Sequence, residues 1–152
     1  MILVRIPIRL PSLANARWHW RARAKIIREH RGLARLLVGA GLAAANTSGL
    51  ELRGQALVIV IVRIAPRRLD TDNLSSACKG VRDGVADALG ISDGDAQHEW
   101  RYEQRRDPKA VGSAYPTGYG TEITVSPRYK ALQGVTRNAL TLRGGRGKDR
   151  RP

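Results

Sequence analysis

Six of the thirteen acidic residues fall between positions 70 and 95, and all six are aspartate: Asp70, Asp72, Asp83, Asp87, Asp93 and Asp95. Lys79 and Arg82 are the only cations in that window, which leaves it at −4 inside a chain whose net charge is +14. Short carboxylates set in a cationic chain suit one kind of chemistry. The surround attracts a polyanion, and the carboxylates hold a divalent metal against its phosphates. The pattern predicts a metal-dependent nuclease.

Asp70 and Asp72 carry the sharpest spacing. They follow a strongly apolar run and precede a helical pattern. In extended backbone, positions two apart point the same way, so both carboxylates can converge on one cation. Mg2+ needs only one or two direct carboxylates and completes its shell with water and phosphate oxygens. The competing reading is that Asp72 caps the helix that follows, which leaves Asp70 unexplained. Asp83 lies four residues after Lys79 and is expected to pair with it on the helix surface, while Asp87 is expected to be solvated. Asp93-Gly94-Asp95 also fits a plain turn. Asp95 with Asp107-Pro108-Lys109 matches the arithmetic of restriction-type nucleases, but in a Pro/Gly-rich turn where that motif needs a strand.

Other chemistries are short of residues. Cys78 is the only cysteine, and the histidines (His19, His30, His98) are scattered, so neither a disulfide framework nor a zinc site is expected. No apolar run approaches the roughly 18 residues of a membrane span. Arg5, Pro7 and Arg9 interrupt the N-terminus too early for a signal-peptide core, so a cytoplasmic protein with no membrane partner is expected. A basic non-catalytic binder of DNA or RNA, architectural or ribosomal in type, would share the charge. It would not account for an aspartate island that repels phosphate.

The elements that must position these residues form an α/β pattern. Phe is absent and 42% of residues are hydrophobic, so the core is built from Val, Ile, Leu and Ala. Residues 2–9 alternate as a half-buried strand with Ile2, Val4, Ile6 and Ile8 inward. A helix is expected from about Trp18 to Ala45, with Ile26, Leu33 and Leu37 inward and Ile27 and Ala34 alongside. Arg21, Lys25, Arg28 and Arg35 form the opposite stripe, spanning about 21 Å along the axis. With Arg17 and Arg67-Arg68 they are the expected DNA contacts, and Trp18 and Trp20 add rings that can stack on unpaired bases. Residues 56–64 read as a central strand buried on both faces. Residues 74–89 read as a helix with Leu74, Ala77, Cys78, Val81, Val85 and Leu89 on one stripe. A strand follows at 98–105 with Trp100 and Tyr102 on one face, then a loop at 106–119 and a last strand near 121–125. A short helix is expected near Tyr129–Leu132. The expected organisation is one domain over 1–135, with a mixed sheet and two main helices, and a basic disordered tail over 136–152.

The run Asp70-Thr71-Asp72-Asn73-Leu74, with Lys79, Arg82-Asp83-Gly84 and Leu89-Gly90-Ile91-Ser92-Asp93-Gly94-Asp95-Ala96-Gln97, resembles the RusA-type Holliday junction resolvases of phages and prophages. Leu10-Pro11-Ser12-Leu13-Ala14-Asn15 and Lys25 resemble that family's N-terminal region, and the likeness covers roughly residues 5–125. It implies a RusA-like fold in an intertwined homodimer. It also implies a nuclease that cuts four-way DNA symmetrically in recombination and repair in a bacterial cell, using Mg2+ or Mn2+ held by aspartates. Asp70 and Asp72 match the first acidic pair, and Asp95 matches the later catalytic aspartate, with Asp93 as the alternative ligand. Many relatives have adjacent aspartates where Gly94 here separates two. Many also have a lysine where this chain has Ser76. Lys79, three residues on, keeps within about 60° of that helix face and about 4.5 Å further along, so it is the candidate to support charge at the phosphate.

One geometric tension is already visible. A continuous helix over 73–89 would separate Asp72 from the Asp93/Asp95 turn by about 25 Å. The two acidic groups would then meet only through a sharp fold-back or across two subunits. Gly80, Gly84 and Ala88 recur every four residues, a spacing that lets two such helices from different chains approach closely.

Overall fold

The computed structural model describes residues 1–12, 19–45, 52, 54–106, 115 and 117–128. Arg17, Trp18, Asp107 to Lys109, the expected turn of helix at 129–132 and the basic tail at 136–152 lie outside the described residues. The chain runs β1 (Ile2–Ile6), α1 (Trp20–Ala44), β2 (Leu57–Ile64), α2 (Thr71–Leu89), β3 (Glu99–Arg105) and β4 (Gly120–Pro127). The four strands form one mixed sheet in the order β1-β4-β2-β3. β2 and β3 are parallel, and β4 lies antiparallel between β1 and β2. This is an α/β domain with two helices, as the sequence pattern predicts. No helix among the described residues is long and apolar enough to cross a membrane.

β2 is central, and its β-branched run is buried along most of its length. Its Ile59 and Ile61 join Val4, Ile123 and Val125 and the α2 residues Leu74, Ala77, Cys78, Val81, Val85 and Leu89 in one core. The predicted α2 stripe is buried throughout. The α1 stripe is displaced: Ala34, Val38 and Leu42 are the fully buried positions, with Leu33 and Leu37 packed beside them and Ile26 and Ile27 half-buried. β1 stops at Ile6, short of the predicted residue 9, because the Ile8 amide donates to the Ile6 carbonyl at 2.9 Å and turns the chain.

The two helices pack side by side and parallel. A Cβ on Gly80 would lie 2.7 Å from the Ile27 carbonyl oxygen, and one on Gly84 would lie 2.3 Å from that of Arg31. The small-residue stripe is therefore occupied within the chain, by α1, and is not the free face for a second subunit that its spacing suggests. Arg31 and Asp87 close the same contact, with guanidinium-to-carboxylate distances of 2.7 and 2.9 Å. Asp87 is thus paired rather than merely solvated, and Arg31 holds its carboxyl below the usual range.

Gly84→Ala is expected to cost about 2 kcal/mol, the scale of an overpacked core. Gly32→Ala, whose Cβ would meet nothing within 4 Å, is expected to gain about 0.5–1 kcal/mol from helix propensity. Urea unfolding measures both, and equal effects would contradict this packing.

Candidate functional site

β1, β2 and β3 all point the same way, and both helices begin at the carboxyl ends of these strands. Gly80 and Gly84 of α2 meet Ile27 to Ala34 of α1 in ascending order, and Gly41 near the end of α1 meets Ile2 and Val4. One edge of the sheet therefore collects the loop after β1, the start of α1, the loop after β2 and the start of α2. Open α/β sheets bind ligands at this edge, and it receives the positive ends of two helix dipoles.

Asp70 sits at this edge as the N-cap of α2. Its Oδ1 accepts the Asn73 amide at 2.9 Å, and its Oδ2 accepts from the Asn73 side-chain nitrogen at 2.7 Å. The cap is Asp70 and not Asp72, and the helix already begins at Thr71. The alternation of an extended strand therefore does not operate between the two aspartates. Both instead occupy the first turn, with Asp72 exposed. The backbone and side-chain hydrogen bonds from Asn73 hold the Asp70 carboxyl below its ordinary value. Asn73 is itself oriented by Ser12, whose hydroxyl donates to its Oδ1 at 3.0 Å. The segment after β1 thus reaches the Asp-Thr-Asp-Asn motif directly.

The loops that carry these residues are fastened to the sheet by side chains the sequence reading passed over. The last inward-facing rung is Ile6, Thr121, Arg63 and Gln104. Arg63 is 6% exposed. Its Nε donates to the Leu10 carbonyl at 2.9 Å and its Nη1 to the Arg67 carbonyl at 2.8 Å. Gln104 brackets Leu69, accepting its amide at 2.9 Å and donating to its carbonyl at 2.6 Å. A lone arginine in an otherwise apolar strand, at its carboxyl end, was the available signal. The nearby Cys78 thiol is pushed up to about 12 by burial, which makes it unsuited to nucleophilic chemistry at neutral pH.

The other aspartates lie at the far end of α2, which Gly90 ends in the left-handed conformation. Asp93 pairs with Arg82 at 3.4 Å, and its backbone carbonyl also accepts from the Arg82 guanidinium. Asp95 closes a turn by accepting the Gln97 amide at 2.9 Å, with its other oxygen 3.8 Å from His98 Nε2. Lys79 Nζ lies 3.4 Å from Asp83, as expected for a surface pair. That contact directs it away from Asp70 and into a groove of about 280 Å3 shared with Arg31, Asp83, Asp87 and Asp93. The helix keeps the two acidic groups at opposite edges of the sheet, so one chain does not bring Asp70 and Asp72 to Asp93 or Asp95. Among the described residues no group of three or more His, Cys, Asp or Glu is placed to share a metal ion.

The expected nucleic-acid contacts among the described residues are exposed. Arg21, Lys25, Arg28 and Arg35 line the outer face of α1, and Arg67 and Arg68 project from the loop before Asp70. Trp20 is 67% exposed, with the Arg21 guanidinium 5.2 Å from its ring centre. Trp20 therefore lies outside the core, with His19 beside it at 5.6 Å between ring centres.

No protein-family model matches the chain, and no solved structure matches it. A stretch of 82 residues is 39% identical to an uncharacterized protein of Xylella fastidiosa (strain Temecula1), covering 52% of this chain and 51% of that protein. The chain spans about half the length of this relative.

A carboxyl titration followed by NMR is expected to place Asp70 below the ordinary aspartate value of 3.8, and Asn73→Ala is expected to move it back up. Because the folded-state value is depressed, the associated stability is present at neutral pH and is lost as pH falls through that value. An unshifted Asp70, or one indifferent to Asn73→Ala, would contradict the cap geometry.

Proposed function

We propose that the protein is a Mg2+-dependent endodeoxyribonuclease of the RusA type that resolves four-way DNA junctions by paired nicks. One observation carries this reading. Asp83, Asp87 and Asp93 each have a lysine or arginine partner, and Asp95 has His98 beside it. Asp70 and Asp72 have no ion-pair partner among the described residues, and they stand at the edge where two helix N-termini and Arg67-Arg68 converge. Two ionised carboxylates left without a cation there suit an external one.

The donor set fits the ion. Mg2+ and Mn2+ prefer hard oxygen ligands, and Mg2+ takes only one or two carboxylates. Each Asp70 oxygen accepts one hydrogen bond and keeps a lone pair, and Asp72 is exposed. When bound, the ion supplies a Lewis acid at the phosphoryl oxygen. The chain supplies the rest. Asn73 and Ser12 orient Asp70, while Arg63 and Gln104 hold its loop against the strand ends. Arg67, Arg68 and the outer stripe of α1 bind backbone phosphates, and Trp20 stacks on a base exposed at the branch point.

A second reading has its own observation. Since Asp93 and Asp95 lie at the opposite edge, a chain acting alone would bind DNA through its basic surfaces without cutting. A nicking assay on a synthetic four-way junction separates the two. Mg2+ is expected to support cutting and EDTA to abolish it. Asp70→Asn is expected to lower cutting roughly 100-fold or more, the scale for losing a group that supports transition-state charge, while junction affinity is kept. Tight binding with no metal-dependent cutting by folded protein would favour the binder.

A further inference from the structure

Several arginines of the chain are neutralised within it. Arg5 and Arg105 share Glu122, Arg31 holds Asp87, and Arg82 holds Asp93. Arg9 is not among them. It lies in the segment after β1, it is exposed, and its guanidinium has no hydrogen-bond or ion-pair partner among the described residues. It is nevertheless held in place. Its Cζ stands 5.0 Å from the centre of the Tyr119 ring, within the range of a cation–π contact. The backbone on both sides is fixed as well: the Ile8 amide donates to the Ile6 carbonyl, and the Leu10 carbonyl accepts from Arg63.

Contact with a ring leaves the N–H donors along the edge of the guanidinium unspent. The brace also removes part of the entropy that a free side chain loses on binding. The place of Arg9 is set by Arg63. That buried guanidinium donates to the Leu10 carbonyl through Nε and to the Arg67 carbonyl through Nη1. The Arg9-Leu10 and Arg67-Arg68 segments therefore stand one guanidinium apart. Ser12, three residues after Arg9, reaches Asn73. Burial lowers the pKa of Arg63, and the charge of Arg9 pushes it the same way. Arg9, Arg63, Arg67 and Arg68 thus converge, and none of them has a carboxylate partner among the described residues. Like charges gathered without a counter-charge suit an external anion.

We propose that Arg9, braced on Tyr119, binds a backbone phosphate of the nucleic acid on the β1 side of the carboxyl edge, while Arg67 and Arg68 bind on the β2 side. Two N–H groups in the guanidinium plane match two phosphate oxygens. Tyr119 acts through Arg9. Its ring holds the guanidinium, and its hydroxyl is not required. Phosphate binding needs no metal, so the contact itself stands apart from cutting. Its service to a strand held at Asp70 and Asp72 rests on the nuclease reading above.

Binding of a labelled four-way junction by the full chain in EDTA, over a range of salt concentrations, tests the contact without reference to cutting. Arg9→Gln is expected to weaken binding about ten-fold, the scale of one hydrogen bond to a charged group. It is also expected to reduce the steepness of log affinity against log salt by about one. Tyr119→Ala is expected to weaken binding about three-fold with the steepness kept, since the charge remains and only its brace is lost. Tyr119→Phe keeps a ring and is expected to bind like the wild type. Arg101→Gln removes an exposed arginine that already holds Glu99 at 2.7 Å, and it is expected to leave both quantities at their wild-type values. Circular dichroism checks that each variant folds. Wild-type affinity and steepness in Arg9→Gln, or an equal loss in Arg101→Gln, overturns the contact, as does a wild type that binds no DNA. Reduced steepness in Arg9→Gln, together with a wild type that cuts no junction in Mg2+, supports the contact and removes the nuclease reading.

Discussion

A guanidinium buried at the end of the central strand organises the candidate site. Arg63 continues the inward face of β2 where an apolar residue would otherwise stand, and burial lowers its pKa from the ordinary arginine value. Removing a charge from water is costly unless hydrogen bonds replace the lost solvation. Here they come from the backbone carbonyls of Leu10 and Arg67. The two loops that form the carboxyl edge are thereby tied to the strand end, and the same requirement fixes where Asp70 begins α2. Replacing Arg63 by an apolar residue would leave both carbonyls without their donor and the loops without a shared anchor.

The parallel pairing of the helices has the complementary role. Close approach at Gly80 and Gly84 aligns the starts of α1 and α2, so that Trp20, Arg21, Arg67, Arg68 and Asp70 share one edge. Had the stripe of small residues been free, its natural partner would have been a second α2. With α1 seated on it, the stripe is closed within the chain.

Much of the scaffold was legible from pattern alone. The continuous apolar run of β2 and the 3.6-residue period of α2 are strong because burial on both faces, or on one stripe, leaves few alternatives. The α1 stripe was misplaced because Leu33 and Leu37 and the smaller Ala34 and Val38 occupy adjacent positions. Which of them faces the sheet depends on helix rotation, set by the glycine contacts with α2. The competing reading set the cap at Asp72 where the structure has Asp70, because helix boundaries shift by a residue or two on sequence evidence. Asp87 found Arg31 from another element, a pairing that no local spacing encodes. Arg63 and Gln104 act through backbone carbonyls and amides, which have no sequence signature. The aspartate island, contiguous in sequence, is divided by a rigid helix into two groups at opposite edges.

The proposed function turns on Asp70 and Asp72 holding a divalent cation at the carboxyl edge of the sheet. The most direct measurement titrates Mn2+ into the protein and follows paramagnetic broadening of the aspartate side-chain carboxyl signals by NMR. Asp70 and Asp72 are predicted to broaden first, while Asp83 and Asp87, each held by a cation of the chain, stay sharp. Broadening spread evenly over all the aspartates, or none at Asp70 and Asp72, would contradict the account.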